Sequence, residues 1–153
     1  EPKKLYRASV GEVPEEYYEI EIGKAEIVKP GTQVTVLAWG AQMEICEKAV
    51  EMAEAAGISC ELIDLRSILP WDVDTVAASV MKTGRLVINH EAPLTGGFAG
   101  EIAATIQERC FLHLESPIQR VCGLDTPYPL ALEKEYVADH LKTFEAIKAT
   151  IEF

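Results

Sequence analysis

Long apolar runs are missing from this 153-residue sequence. No stretch of about eighteen consecutive apolar residues occurs, so no membrane-spanning helix is expected. Cysteine is sparse and scattered: Cys46, Cys60, Cys110 and Cys122 stand singly in apolar segments, with no C-x-x-C pair and no histidine at metal-ligand spacing. That argues against a metal site or a disulfide framework and for buried thiols in a reducing compartment. Positive charge is scarce too, with 14 Lys and Arg against 25 Asp and Glu and a formal charge of -11. This balance disfavours nucleic acid and anionic membrane as partners; it fits a basic protein partner, and equally an ordinary acidic surface. No G-x-G-x-x-G follows a first strand, and no G-x-x-x-x-G-K-[ST] occurs, which removes the common nucleotide fingerprints. The sequence opens on Glu1-Pro2-Lys3-Lys4 rather than on Met, with no signal-peptide pattern, which suggests a mature product or an excised domain.

What is present is enough apolar content, 48%, for one domain with one sizeable core. Residues 1–24 mix charged residues with Pro2, Pro14 and three tyrosines and show no helical period, as expected of an extended interdomain arm. The domain proper is expected over 25–153. Strands are expected at 25–29, 33–38, 58–65, 85–88 and 118–122, separated by amphipathic helices at the roughly 30-residue rhythm of βαβ units.

The first helix, 41–56, carries Ile45, Ala49, Met52 and Ala56 on one stripe and ends at Gly57. The second starts at Asp72, an N-cap type residue, and buries Val73, Val76, Ala77 and Val80. The third, to about residue 112, repeats Phe98, Ile102, Ile106 and Cys110 at four-residue spacing. The last presents Val137, Leu141, Phe144, Ile147 and Ile151. The pattern implies a three-layer α/β domain: a mainly parallel five-stranded sheet with one antiparallel leading strand and helices on both faces.

The stretch GRLVINHEAPLTGGFAGEI, residues 84–102, concentrates the candidate chemistry. It places His90 and Glu91 at the carboxyl end of a strand, where ligands and partners meet open α/β sheets. The pair could act as general acid and base. Adjacent strand residues face opposite ways, however, and no nucleophile is placed beside them, so an interface or turn role is the alternative. Gly96-Gly97 opens a helix and could hold an anion or nucleotide phosphate, or serve only the turn and close packing. Trp39, Trp71 and Tyr128 lie just past strand ends or in loops, as interface aromatics often do. Asp64 and Arg66 flank Leu65 and could pair across a loop.

Five segments, LYRA (residues 5–8), VTVLAWG (34–40), CELIDLRSILPWD (60–72), KTGRLVINHEAPLTGGFAGEI (82–102) and RVCGLDTPYP (120–129), together resemble one family. It is the carboxyl-terminal, transketolase-C-terminal-like domain of the β subunit of thiamine-diphosphate-dependent 2-oxo acid dehydrogenases, most like the branched-chain enzyme. The resemblance implies an oxidoreductase multienzyme complex. Its α₂β₂ decarboxylase component works on thiamine diphosphate and magnesium and passes the acyl group to a lipoyl arm. It also implies that those cofactors bind elsewhere in the parent enzyme, leaving this domain inactive alone.

Its work would be assembly with the α subunit and a second β subunit, and docking of the basic subunit-binding domain of the lipoyl acyltransferase. The resemblance points to Glu115 and Phe153 for docking; a further acidic residue found in related members is replaced here by neutral Gln119. Trp71, Tyr128, His90 and Glu91 remain interface candidates. The implied location is the mitochondrial matrix for a eukaryotic source and the cytoplasm for a bacterial one. The readings that compete with it are a small free-standing enzyme using His90 and Glu91, and an anion-binding module at Gly96-Gly97.

Overall fold

The structure, a computed structural model, describes residues 2–8 and 10–153. Its centre is β2 (Val34–Ala38), VTVLA, with every side chain buried. Burial on both faces explains why this strand reads as an unbroken apolar run and not as an alternation. Beside it lie β3 (Cys60–Asp64) and β4 (Leu86–Pro93), with β5 (Gln119–Gly123) outside β4 and β1 (Glu26–Lys29) outside β3. The sheet order is β1-β3-β2-β4-β5; the inner pairs are parallel and β1 is antiparallel.

The alternation of β2 feeds two cores. On one face Val34, Val36 and Ala38 pack with Cys46, Ala49 and Val50 of α2 (Gln42–Ala55) and Ile147 of α6 (His140–Ile151). On the other, Leu37 packs with Val76 and Val80 of α3 (Val73–Thr83) and Ile102 and Ile106 of α4 (Ala99–Cys110). A buried hydroxyl chain crosses this second interface: Thr35 Oγ1 lies 2.7 Å from Ser79 Oγ and 2.8 Å from Thr83 Oγ1. The three hydroxyls satisfy one another where apolar packing alone would be expected.

Helix ends follow local chemistry. Asp72 caps α3 by accepting from the Thr75 N–H at 3.1 Å, and its second oxygen accepts from the Ala25 N–H, tying the leading strand to the helix. Gly84 ends α3 at φ 71°. Asp139 caps α6 by accepting from the Lys142 N–H at 2.8 Å.

The structure corrects several sequence expectations. The leading strand pairs with β3, not with the strand that follows it. Residues 31–33 cross the start of β3, where Gln33 N–H donates to the Ser59 carbonyl at 2.9 Å. A Cβ on Gly31 would come within 2.1 Å of the Cys60 carbonyl carbon, so the crossing requires glycine. The buried stripe of α2 is Gln42, Cys46, Ala49, Val50 and Ala53; Ile45 and Met52 are only half-buried and Ala56 is exposed. The buried stripe of α6 is Thr143, Ile147 and Thr150, while Leu141 is exposed. Arg66 pairs with Glu26, not with Asp64, whose carboxylate instead accepts from the Arg66 backbone N–H. In the leading arm, α1 (Leu5–Ala8) makes one helical turn, and residues 10–20 form neither helix nor strand. Between β5 and α6 the chain adds a short helix, α5 (Glu133–Tyr136).

Candidate functional site: the two ends of the parallel sheet

The connection leaving β2 enters α2 on one face of the sheet, and the one leaving β4 enters α4 on the other. Between them the carboxyl ends of β2 and β4 bound a crevice, the place where the strand order reverses. A cavity of about 220 Å³ opens there, lined by Trp39 and Gln42 after β2 and by His90, Glu91 and Phe98 from β4 and its loop.

His90 is buried between Trp39, whose ring centroid is 5.6 Å away, and Cys122, whose Sγ is 3.8 Å from Nε2. Burial pulls the imidazole below its ordinary pKa, against nearby carbonyls of its own residue and Ala92, while Arg120 adds to the depression. Burial thus favours the neutral ring, and its buried Nδ1 makes no well-formed hydrogen bond with those carbonyls. Burial likewise pushes the Cys122 thiol up to about 11, so no thiolate–imidazolium pair forms. Glu91, the next residue, is exposed at the rim. No hydrogen bond joins His90 and Glu91 among the described residues, and the general acid–base arrangement is not assembled.

Gly97 packs directly on His90: a Cβ there would sit 2.6 Å from Cε1 and 2.3 Å from the Pro93 carbonyl oxygen. The Gly96-Gly97 pair thus serves the turn, with Gly96 at φ 74°. Sequence reasoning missed Gln42. It is 1% exposed and both of its side-chain amide atoms lack partners. The signal was its place on the stripe with Cys46 and Ala49.

Near the opposite, amino end of the sheet lies Glu115, one of the two residues predicted for docking. Arg85, just before β4, has its guanidinium 2.7 Å from Glu115 Oε2 and donates through Nε to the Thr150 carbonyl at 2.8 Å. This second missed residue joins Glu115 to the last turn of α6, three residues from Phe153. Phe153 is 80% exposed, and Leu112 on the same stretch as Glu115 is 91% exposed. Trp71 is half-buried against the α3–α4 core, and Tyr128 meets Tyr136 edge-on at 5.0 Å with half its surface exposed.

Fold and crevice define a class: a three-layer α/β domain with a crevice at a strand-order reversal. The pattern of the family described as "Transketolase, C-terminal domain" matches residues 23–142. The chain is 67% identical over 152 residues to a mitochondrial 2-oxoisovalerate dehydrogenase subunit beta of Dictyostelium discoideum, covering 99% of this chain and 41% of that protein. It is 55% identical to the mitochondrial 2-oxoisovalerate dehydrogenase subunit beta 2 of Arabidopsis thaliana, covering 100% of this chain and 43% of that protein. The solved structure of a split gene transketolase, an inactive beta4 tetramer, matches with a TM-score of 0.76 at 25% identity over 95% of this chain and 47% of that one. The chain belongs to the transketolase C-terminal domain family, and it spans about two-fifths of the length of these curated relatives.

For thiamine diphosphate with magnesium the start of α2 offers no free backbone cradle: the backbone N–H groups of Gln42 and Met43 are engaged by the Trp39 and Gly40 carbonyls, and the crevice rim carries the Glu91 carboxylate. Among the described residues no group of three His, Cys, Asp or Glu is disposed to hold a metal ion.

Proposed function

We propose that this chain is the assembly and docking domain of the β subunit of a branched-chain 2-oxo acid dehydrogenase. In that enzyme the thiamine-diphosphate chemistry, oxidative decarboxylation and acyl transfer to a lipoyl arm are carried by the α subunit and the remainder of β. The observation that supports this reading best is the 67% identity to a 2-oxoisovalerate dehydrogenase β subunit along 99% of the chain. A mitochondrial location for the parent enzyme accords with the names of the eukaryotic relatives.

Docking of the basic subunit-binding domain of the acyltransferase is assigned to the amino end of the sheet. There Glu115, exposed and paired with Arg85, follows exposed Leu112, and exposed Phe153 lies three residues after Thr150, whose carbonyl Arg85 also holds, in a chain of formal charge -11. Such a patch combines apolar contact with attraction for a basic partner. Contacts to α and to the second β subunit fall to the crevice rim and its neighbours Leu69, Leu94 and Tyr128, all exposed. Calorimetric titration of the chain with the subunit-binding domain tests the docking half. One-site binding that weakens with salt is expected, and no heat at low or moderate salt would overturn it.

A further inference from the structure

Glu115 is held at three points although 61% of its side chain is exposed. Its backbone N–H donates to the Gly84 carbonyl at 2.8 Å. Its side chain lies on the bare Cα of Gly84, where a Cβ would come within 2.8 Å of the Glu115 Cδ and 2.9 Å of its Cγ. Its Oε2 is 2.7 Å from Arg85 Nη1. One surface ion pair alone contributes too little to fix a long side chain in one place; here backbone, packing and charge agree on a single position. The same guanidinium also holds the end of α6, its Nε donating to the Thr150 carbonyl at 2.8 Å. The final carbonyls of a helix have no partner within it and are favourable sites for a cation. Thr150 is 1% exposed and the Arg85 side chain 22%. The guanidinium is thus seated in the domain, while the chain end beyond it, Phe153, is exposed.

We propose that Arg85 is the positioning residue of the docking surface, holding Glu115 and the end of α6 in one fixed relation before the basic partner arrives. The proposal rests on the docking assignment above and adds the residue that makes two separate segments act together. Nε and Nη1 are separate donors in one rigid plane, so their two acceptors are fixed relative to each other, which the single ammonium of a lysine does not achieve. Order present beforehand spares the complex the entropy of immobilising a long carboxylate side chain and a chain end. Charge works the other way. Arg85 offsets part of the field of Glu115, so by electrostatics alone its loss would favour a basic partner. Positioning and charge therefore predict opposite signs for the same substitution.

Calorimetric titration of the full 153-residue chain with the acyltransferase's subunit-binding domain compares wild type, Arg85→Met and Arg85→Lys at low and moderate salt, each variant first shown to be folded by its amide spectrum. Arg85→Met should bind about 3- to 10-fold more weakly, the range set by ordering one or two groups at the moment of binding, and should still lose affinity as salt rises. Arg85→Lys, equal in charge and the milder change, should weaken binding as well. Combining Arg85→Met with removal of Phe153 should cost less than the product of the two separate factors, because both act on the same chain end; a role in stability alone leaves that product intact. Hydrogen exchange reads the positioning in the free chain. The Glu115 and Glu152 amides, which donate to the Gly84 and Lys148 carbonyls, should exchange at least ~5-fold faster in Arg85→Met. Equal or tighter binding by Arg85→Met, full affinity in Arg85→Lys, or unchanged exchange at both amides overturns the proposal. A wild type that does not bind removes the docking reading and this proposal with it, whereas wild-type binding that neither substitution changes overturns this proposal alone.

Discussion

Replacing Gln42 by Met should make the chain more stable, against the usual direction for a change at a buried position. The side chain is 1% exposed and both amide atoms are unpaired. Leaving a buried polar group unsatisfied costs about 1–3 kcal/mol. Methionine is close in volume and unbranched, fills irregular gaps, and carries no group that needs a partner. Its contacts with the cluster around Cys46 and Ala49 should be retained, so the net gain is about 1–2 kcal/mol after imperfect packing is allowed for. In a domain of this size each kcal/mol moves Tm by about 2–4 °C, and scanning calorimetry resolves that. Urea titration should show a higher midpoint with an unchanged m value, which identifies a change in stability and not in the denatured state. A loss of 1 kcal/mol or more would refute the reasoning, because it would mean that the amide is already satisfied inside the domain.

The crossing at Gly31 predicts that Gly31→Ala destabilises by about 3 kcal/mol or more, since its Cβ would meet backbone and not a movable side chain; urea unfolding reads this directly. Burial pushes the Asp72 carboxyl up, but hydrogen bonds from the Thr75 and Ala25 N–H groups and the Thr75 hydroxyl outweigh it and hold it below its ordinary value. Its stabilisation is therefore present above the unfolded value of about 3.9 and is lost as pH falls through the lower folded value. The stability gap between wild type and Asp72→Asn should shrink across that window and vanish below it. The thiols of Cys46 and Cys60 are pushed up to about 12 and that of Cys122 to about 11, chiefly by burial. Alkylation of the folded chain at neutral pH should then be at least ~10-fold slower than in denaturant, as timed mass spectrometry would measure.

The parallel sheet, its antiparallel edge and the Asp72 cap were legible because each rests on a local rule: β-branched runs, βαβ spacing and a cap residue before an apolar period. The errors came where two local patterns competed and tertiary contact chose. Helix α2 offers both Ile45–Ala49–Met52 and Cys46–Ala49–Val50–Ala53, and packing beside α6 selects the second. In α6, Thr143 is buried because its hydroxyl accepts from Asn89 Nδ2 of β4 at 2.6 Å, a bond between residues 54 apart in sequence. Leu141 is left outside. Gln42 was missed for the same reason: it shares the stripe of Cys46 and Ala49, but its polarity argues for the surface, and the meeting of the β2 and β4 loops buries it. At the amino end of the sheet, Glu115 and Phe153 came from resemblance alone. Arg85, which ties Glu115 to the Thr150 carbonyl, is a single arginine after a helix-ending glycine, with nothing local to mark it.

The central claim is that the amino end of the sheet receives a basic partner, and a footprint tests it more directly than affinity does. Hydrogen exchange or chemical-shift mapping of the chain with the acyltransferase's subunit-binding domain should mark the segment 111–115, Arg85 and the last turn of α6 to Phe153. Removal of Phe153 or Glu115→Gln should weaken the effect, and raising salt should weaken it further. A footprint confined to the crevice around Trp39 and His90, or one untouched by both changes, would contradict the account.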